Sequence, residues 1–130
     1  MLSLSPAVRV FVARSAVDFR RGVDGLCGLV RDEFGEDPLS GHWFVFTNRR
    51  ANRLRILAWD RNGFWLATKR LEQGTFERFD GSESKLEIDR VKLAMLLDGI
   101  DTKRSRFRRN FTRDVRIESR DDGQRSNASS

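Results

Sequence analysis

The sequence is poor in the residues that build covalent or metal frameworks. It holds one cysteine, Cys27, so it has no internal disulfide framework. His42 is its one histidine, and that pair alone cannot make a zinc site of the usual kind. No metal and no cofactor is therefore expected. No run approaches the roughly 18 apolar residues of a membrane span. The opening "MLSLSPAVRVFVARS" lacks the basic segment and cleavage pattern of a signal peptide. These absences point to a cytoplasmic protein with no membrane partner.

Charge, by contrast, is abundant. Of 130 residues 34% are charged and 38% hydrophobic, which suits one soluble domain with a modest single core. The net charge of +6 is unevenly spread. Residues 43–78 hold eight basic and three acidic residues, and 102–130 hold nine and four, whereas 1–42 and 79–101 are net acidic. Clustered positive charge fits either a polyanionic partner, most often nucleic acid, or a solvated charged surface.

The periodicities predict an α+β fold, an antiparallel meander of about four strands with two packing helices. "VRVFVA" (8–13) reads as a strand. Val23, Leu26, Cys27, Val30 and Phe34 follow at helical spacing, with Asp18 as N-cap and Gly35 as C-cap. Gly22, Gly25 and Gly28 weaken that helix and are read as a face where another backbone packs close. Three strand-like runs come next. "HWFVFTN" sets Trp43 and Val45 against Phe44 and Phe46. "RLRILAWD" sets Leu54, Ile56 and Ala58 against Arg53, Arg55, Leu57 and Trp59. "GFWLATKRL" continues the pattern after an Asn62-Gly63 turn signal. A polar connection (72–84) leads to "LEIDRVKLAMLLDGI", the clearest helix. Asp89 caps it, Ile88 staples onto Leu93, and Leu93, Leu96, Leu97 and Ile100 form its buried stripe. The domain is drawn at 1–101, and residues 102–130 are read as a basic, largely disordered tail.

No constellation supports acid–base or nucleophilic chemistry. Asp18, Asp24, Asp60 and Asp98 are candidates only as acids; Asp18 and Asp89 are better explained as caps and Asp60 as a turn residue. His42 lacks a nucleophile beside it, and Cys27 lies on an apolar stripe. "GVDGLCG" has no phosphate-loop Lys-Ser/Thr. No catalytic residue, and no small-molecule substrate, is assigned. The basic cluster is more informative. Arg49, Arg50, Arg53 and Arg55 fall within seven residues, and Lys69 and Arg70 end the following strand. Guanidinium groups suit bidentate phosphate contact and stacking. Arg53 and Arg55 share a strand face with Trp59, so Trp59 is either a stacking platform or core beneath an arginine rim.

"D-x-R-x-G-x-D-G-L" (from Asp18), "F-x-N-R-R-x-x-R-L-x-x-L-x-W-D" (from Phe46) and "K-R-L-E-x-G-x-F" (from Lys69) fall in order. With "LAMLLDGID" they resemble the accessory protein TnpB of the insertion-sequence-sixty-six type, the second-reading-frame protein, over roughly 7–101. The resemblance implies a bacterial transposable element and DNA recombination. A separate, larger protein would be the transposase, with this chain a non-enzymatic accessory to transposition. It supplies no catalytic residues. Its blocks mark Asp18, Arg20, Gly22, Asp24 and Gly25, and Asn48, Arg49, Arg50, Arg53, Trp59 and Asp60. Two departures stand out: "ERFDGSES" where a Trp-Pro-like segment is common, and Thr102 with a long tail after "GID". The tail is either element-specific or a decayed reading frame.

Two functions follow as expectations. One is DNA binding, at element ends, through Arg49, Arg50, Arg53, Arg55, Lys69 and Arg70. The other is an adaptor that docks on the transposase or a second accessory protein through the aromatic strand face and first helix, without touching DNA.

Overall fold

The computed structural model describes residues 4–100, together with 121–122 and 124–125. Strand β1 (Val10–Ala13) is β-branched and aromatic, and every one of its residues is buried. Helix α1 (Val23–Asp32) leads on to β2 (Trp43–Thr47), β3 (Arg53–Asp60) and β4 (Gly63–Arg70). Then come β5 (Lys85–Ile88) and α2 (Arg90–Asp98). The five strands form one sheet in the order β4-β3-β2-β1-β5.

The α+β class and the β2-β3-β4 meander agree with the sequence pattern. Two features differ. Strand β1 runs parallel to β2, with Val10 opposite Trp43, because α1 serves as a crossover between them. A fifth strand, β5, which the sequence pattern did not single out, pairs antiparallel with β1 just ahead of the second helix. Asp89 caps that helix as the sequence pattern predicts. Its side chain accepts from the Lys92 N–H at 2.7 Å, so the helix begins only after it. Leu86 and Ile88 therefore alternate with Lys85 and Glu87 at the period of a strand.

The sheet is buried on both sides, so the single core expected is in fact two clusters. On the α1 side lie Phe11, Phe44, Phe46, Leu57, Leu26, Cys27, Val30 and Phe34. Phe11 stacks on Phe44 at 5.7 Å, and Phe34 on Phe46 at 5.8 Å. On the α2 side lie Val10, Val12, Val45, Leu54, Ile56, Phe76, Ile88, Leu93 and Leu96. Strands β1 and β2 are apolar at nearly every position, as a sheet covered on both faces requires. Each fully buried phenylalanine stabilises the fold by about 1.5–3 kcal/mol relative to exposure.

The helix ends also differ in detail. Gly22, not Asp18, is the N-cap of α1, and it brings no side-chain hydrogen bond. Glu33, not Gly35, is the C-cap of α1; Gly35 follows at φ 65°, with the Glu36 N–H reaching the Val30 carbonyl at 3.0 Å. A Cβ at Gly22 or Gly28 would meet open space among the described residues, so no backbone packs on a glycine face there. Ile100 leaves the apolar stripe of α2. Gly99 turns the chain at φ 75°, and Ile100 is exposed and bridges to Thr75 instead.

The chain falls into two units, Met1–Ile100 and Asp101–Ser130. In the second, β6 (Asp121–Asp122) pairs with β7 (Gln124–Arg125). The rest of the expected tail lies outside the described residues.

Candidate nucleic-acid interface

The loop 48–52 between β2 and β3 is built around one side chain. Asn48 Oδ1 accepts from the N–H groups of Asn52 and Arg53 at 3.1 and 3.0 Å, and its Nδ2 donates to Asn52 Oδ1 at 2.8 Å. Its carbonyl accepts from the Ala51 N–H at 3.0 Å. Ala51 takes the left-handed conformation, φ 57°, with its methyl buried. A non-glycine residue there stores strain that its surroundings must offset. Two further bonds do so: Phe76 N–H to the Ala51 carbonyl at 2.7 Å, and Leu71 N–H to the Asn52 carbonyl at 2.8 Å. The result is a braced tip that holds Arg49 and Arg50 in solvent.

The six basic residues singled out by spacing do not share one surface. Arg49, Arg50 and Arg53 are exposed, and none forms an ion pair with a described residue. Arg70 stands directly opposite Arg53 across the β3–β4 ladder and pairs with Glu72 at 3.0 Å. Like charges placed opposite each other in a sheet are destabilising. Arg55 turns inward. Its guanidinium lies 4.4 Å from the centre of the Phe19 ring and donates to the Arg21 carbonyl at 3.1 Å. Lys69 faces the α2 side with its neighbour Leu54 and donates to the Leu97 carbonyl at 2.8 Å. A cation there meets the negative end of α2.

The marked positions around the cluster are mostly structural. Trp59 is half-buried edge-on against Phe64 at 5.0 Å, so the aromatic partner of Arg55 is Phe19 rather than Trp59. Asp60 accepts from Trp65 Nε1 at 3.2 Å at the end of β3. The hairpin turns on Arg61, at φ 57°, and Gly63 already opens β4. Asp18 accepts from the Arg20 N–H and from its guanidinium, at 2.7 Å from Nη2. The Arg20 side chain and N–H hold this carboxyl down to about 2. Asp24 lies in the first turn of α1, where an acid suits the helix dipole. A Cβ at Gly25 would lie 3.2 Å from the Arg21 side chain.

The other candidates for chemistry have structural partners. His42 Nδ1 accepts from the Arg9 N–H at 3.0 Å. Cys27 is buried under α1, and burial pushes its thiol up. A hollow of about 170 Å³ between Val17, Asp18, Arg21, Glu33 and Phe34 is below the roughly 300–1,000 Å³ of small-molecule sites.

One residue at the tip has no signal in the sequence. Arg78, about 30 positions beyond the loop, donates from Nη2 to the carbonyls of Asn48, at 3.0 Å, and of Arg49. Only the fold brings it there.

The described residues thus form a small sheet domain with an exposed arginine tip. Comparison with known sequences gives its family. The profile of the IS66 Orf2-like proteins matches residues 8–107, and the chain belongs to that family, an insertion-sequence-associated accessory protein. Two relatives come from Sinorhizobium fredii. The uncharacterized protein y4jC is 39% identical over 101 residues, covering 78% of this chain and 86% of the relative. The uncharacterized protein y4hO is 35% identical over 101 residues, covering 78% of this chain and 88% of the relative. No solved structure matches the chain.

Proposed function

We propose that this chain is a non-enzymatic accessory protein of transposition that binds the phosphate backbone of DNA, at the ends of its element, through Arg49, Arg50 and Arg53, with Arg70 beside them. The observation that carries this reading is the exposed trio, which forms no ion pair with a described residue, next to the Arg53–Arg70 ladder pair, of which Arg70 also pairs with Glu72. Two like charges opposed in a ladder add nothing to folding. A polyanion would convert that repulsion into attraction. Arg55 and Lys69 are left out of the contact, because internal carbonyls already hold them.

The test is anisotropy titration of a labelled element-end duplex at several salt concentrations. Wild type is compared with Arg49→Ala, Arg50→Ala and Arg53→Ala. Removing one arginine that neutralises a phosphate should reduce the salt slope by about 0.9. Equal affinity and slope in all four proteins would remove the site.

A second reading is an adaptor for the element's transposase. Phe44 and Phe46 are buried on the α1 side of the sheet and offer no surface for it. Apolar exposure lies elsewhere, at Trp65 (43%) and on α2 at Val91 (67%) and Met95 (59%). Co-purification with the transposase from nuclease-treated lysate, abolished by Val91→Asp with Met95→Asp, would favour this reading.

A further inference from the structure

We propose that Arg78 is the positioning residue of the DNA-contacting tip. It would fix the loop 48–52 from behind so that Arg49 and Arg50 meet phosphate already ordered. This rests on the phosphate-binding reading above and adds to it a residue outside the arginine cluster.

Arg78 is exposed like the contact residues, but its hydrogen bonds set it apart. Its Nη2 is committed to two loop carbonyls, those of Asn48 and Arg49. These bonds cross about 30 residues of sequence, from the segment after β4 back to the tip. They add to the bonds from Leu71 and Phe76, which belong to the same segment. Phe76 is buried in the α2-side core, so the brace is anchored in the fold. The tip is thus held by a stretch of backbone and by a cation.

Two physical consequences follow. Binding costs less when the contacting side chains spring from an ordered backbone, because loop ordering no longer has to occur on association. In addition, a hydrogen bond from a charged donor is stronger than a neutral one, so Arg78 holds the carbonyls better than an amide would. A positioning role predicts a particular signature. Losing Arg78 should weaken DNA binding without removing a released counterion, whereas losing Arg49 should do both.

The test uses the full chain and a labelled duplex, titrated at several salt concentrations. The proteins are wild type, Arg78→Ala, Arg78→Lys and Arg49→Ala, with amide hydrogen exchange measured on each. We expect Arg78→Ala to weaken binding about tenfold with the salt slope unchanged. Its Ala51, Asn52 and Arg53 amides should exchange faster, while Val45 and Ile56 stay protected. Arg78→Lys should lose less, since it keeps a charged donor, and it carries the comparison if Arg78→Ala does not fold. Arg49→Ala should lower the slope by about 0.9.

Three results would overturn the proposal. A slope reduced by about 0.9 in Arg78→Ala, with loop exchange unchanged, would make Arg78 a direct phosphate contact. Faster loop exchange with unchanged affinity would show that tip order is irrelevant to binding. Both leave the phosphate-binding reading standing. If instead Arg49→Ala and wild type share affinity and slope, that reading falls and the positioning role falls with it.

Discussion

Asn48 shows how one amide can organise a loop. Its oxygen receives two backbone N–H groups and its nitrogen reaches Asn52. Replacing it by Ala leaves those N–H groups without their acceptor, at about 1–3 kcal/mol for a buried orphan and less where water reaches it. Chemical denaturation of Asn48→Ala should therefore show a lower midpoint with an unchanged m-value. Asp18 offers a pH-dependent test at the same scale. Its carboxyl lies at about 2, against an ordinary 3.8, because the Arg20 guanidinium and N–H favour the ionised form. A lowered folded value contributes stability above the ordinary value, and that contribution disappears as pH falls through about 2. The carboxyl is solvent-exposed and its partner is two residues away, so the effect on global stability is small. The site itself gives the clearer readout: an NMR titration of Asp18 should move up toward 3.8 in Arg20→Ala. An unmoved midpoint would assign the shift to some other group.

At the scale of elements, the glycines of α1 are where sequence and structure part most usefully. A three-residue glycine spacing suggests close backbone packing, yet a Cβ at Gly28 would touch no described residue. Gly28 lies inside the helix, where Ala is favoured over Gly by about 1 kcal/mol. Gly28→Ala should accordingly raise the unfolding free energy by about 0.5–1 kcal/mol, read as a higher denaturant midpoint. A loss of stability would mean that a group outside the described residues packs there. The rest of the fold was legible to the extent that local chemistry sets it. The Asp89 cap, the β2–β4 alternation and the apolar stripe of α1 each follow from neighbouring residues. Strand β5 was not legible as a strand, because its four residues run straight into a helix and only pairing with β1 holds them extended. The parallel β1–β2 register, and Arg78 at the tip, likewise depend on partners distant in sequence. The candidate site was half legible. Spacing found Arg49, Arg50 and Arg53, but it could not tell that Arg55 would lie over Phe19 and Lys69 would reach the end of α2.

At the scale of the whole sheet, its central strands are buried on both faces, while β4 stays largely exposed. Arg53 opens β3, which lies inside the sheet between β4 and β2, and on the phosphate-binding reading it ties stability to binding in opposite directions. Without a partner, it stands opposite Arg70 in the ladder register, where Arg70 pairs with Glu72. Removing one of the two relieves a repulsion of about 0.2–1 kcal/mol. Threonine keeps the β preference of the position, so Arg53→Thr should leave the free protein as stable as wild type or slightly more so. With DNA present the order should reverse. A ligand that binds only the folded state adds about 2.7 kcal/mol at one hundred times its dissociation constant, which raises the melting temperature. Arg53→Thr should gain less from the same duplex concentration, and the difference should shrink as salt screens the contact. Melting curves of both proteins, with and without duplex at low and high salt, check this directly. If Arg53→Thr is less stable without DNA and gains as much from it, Arg53 serves the fold. In that case the exposed cluster would be an ordinary charged rim.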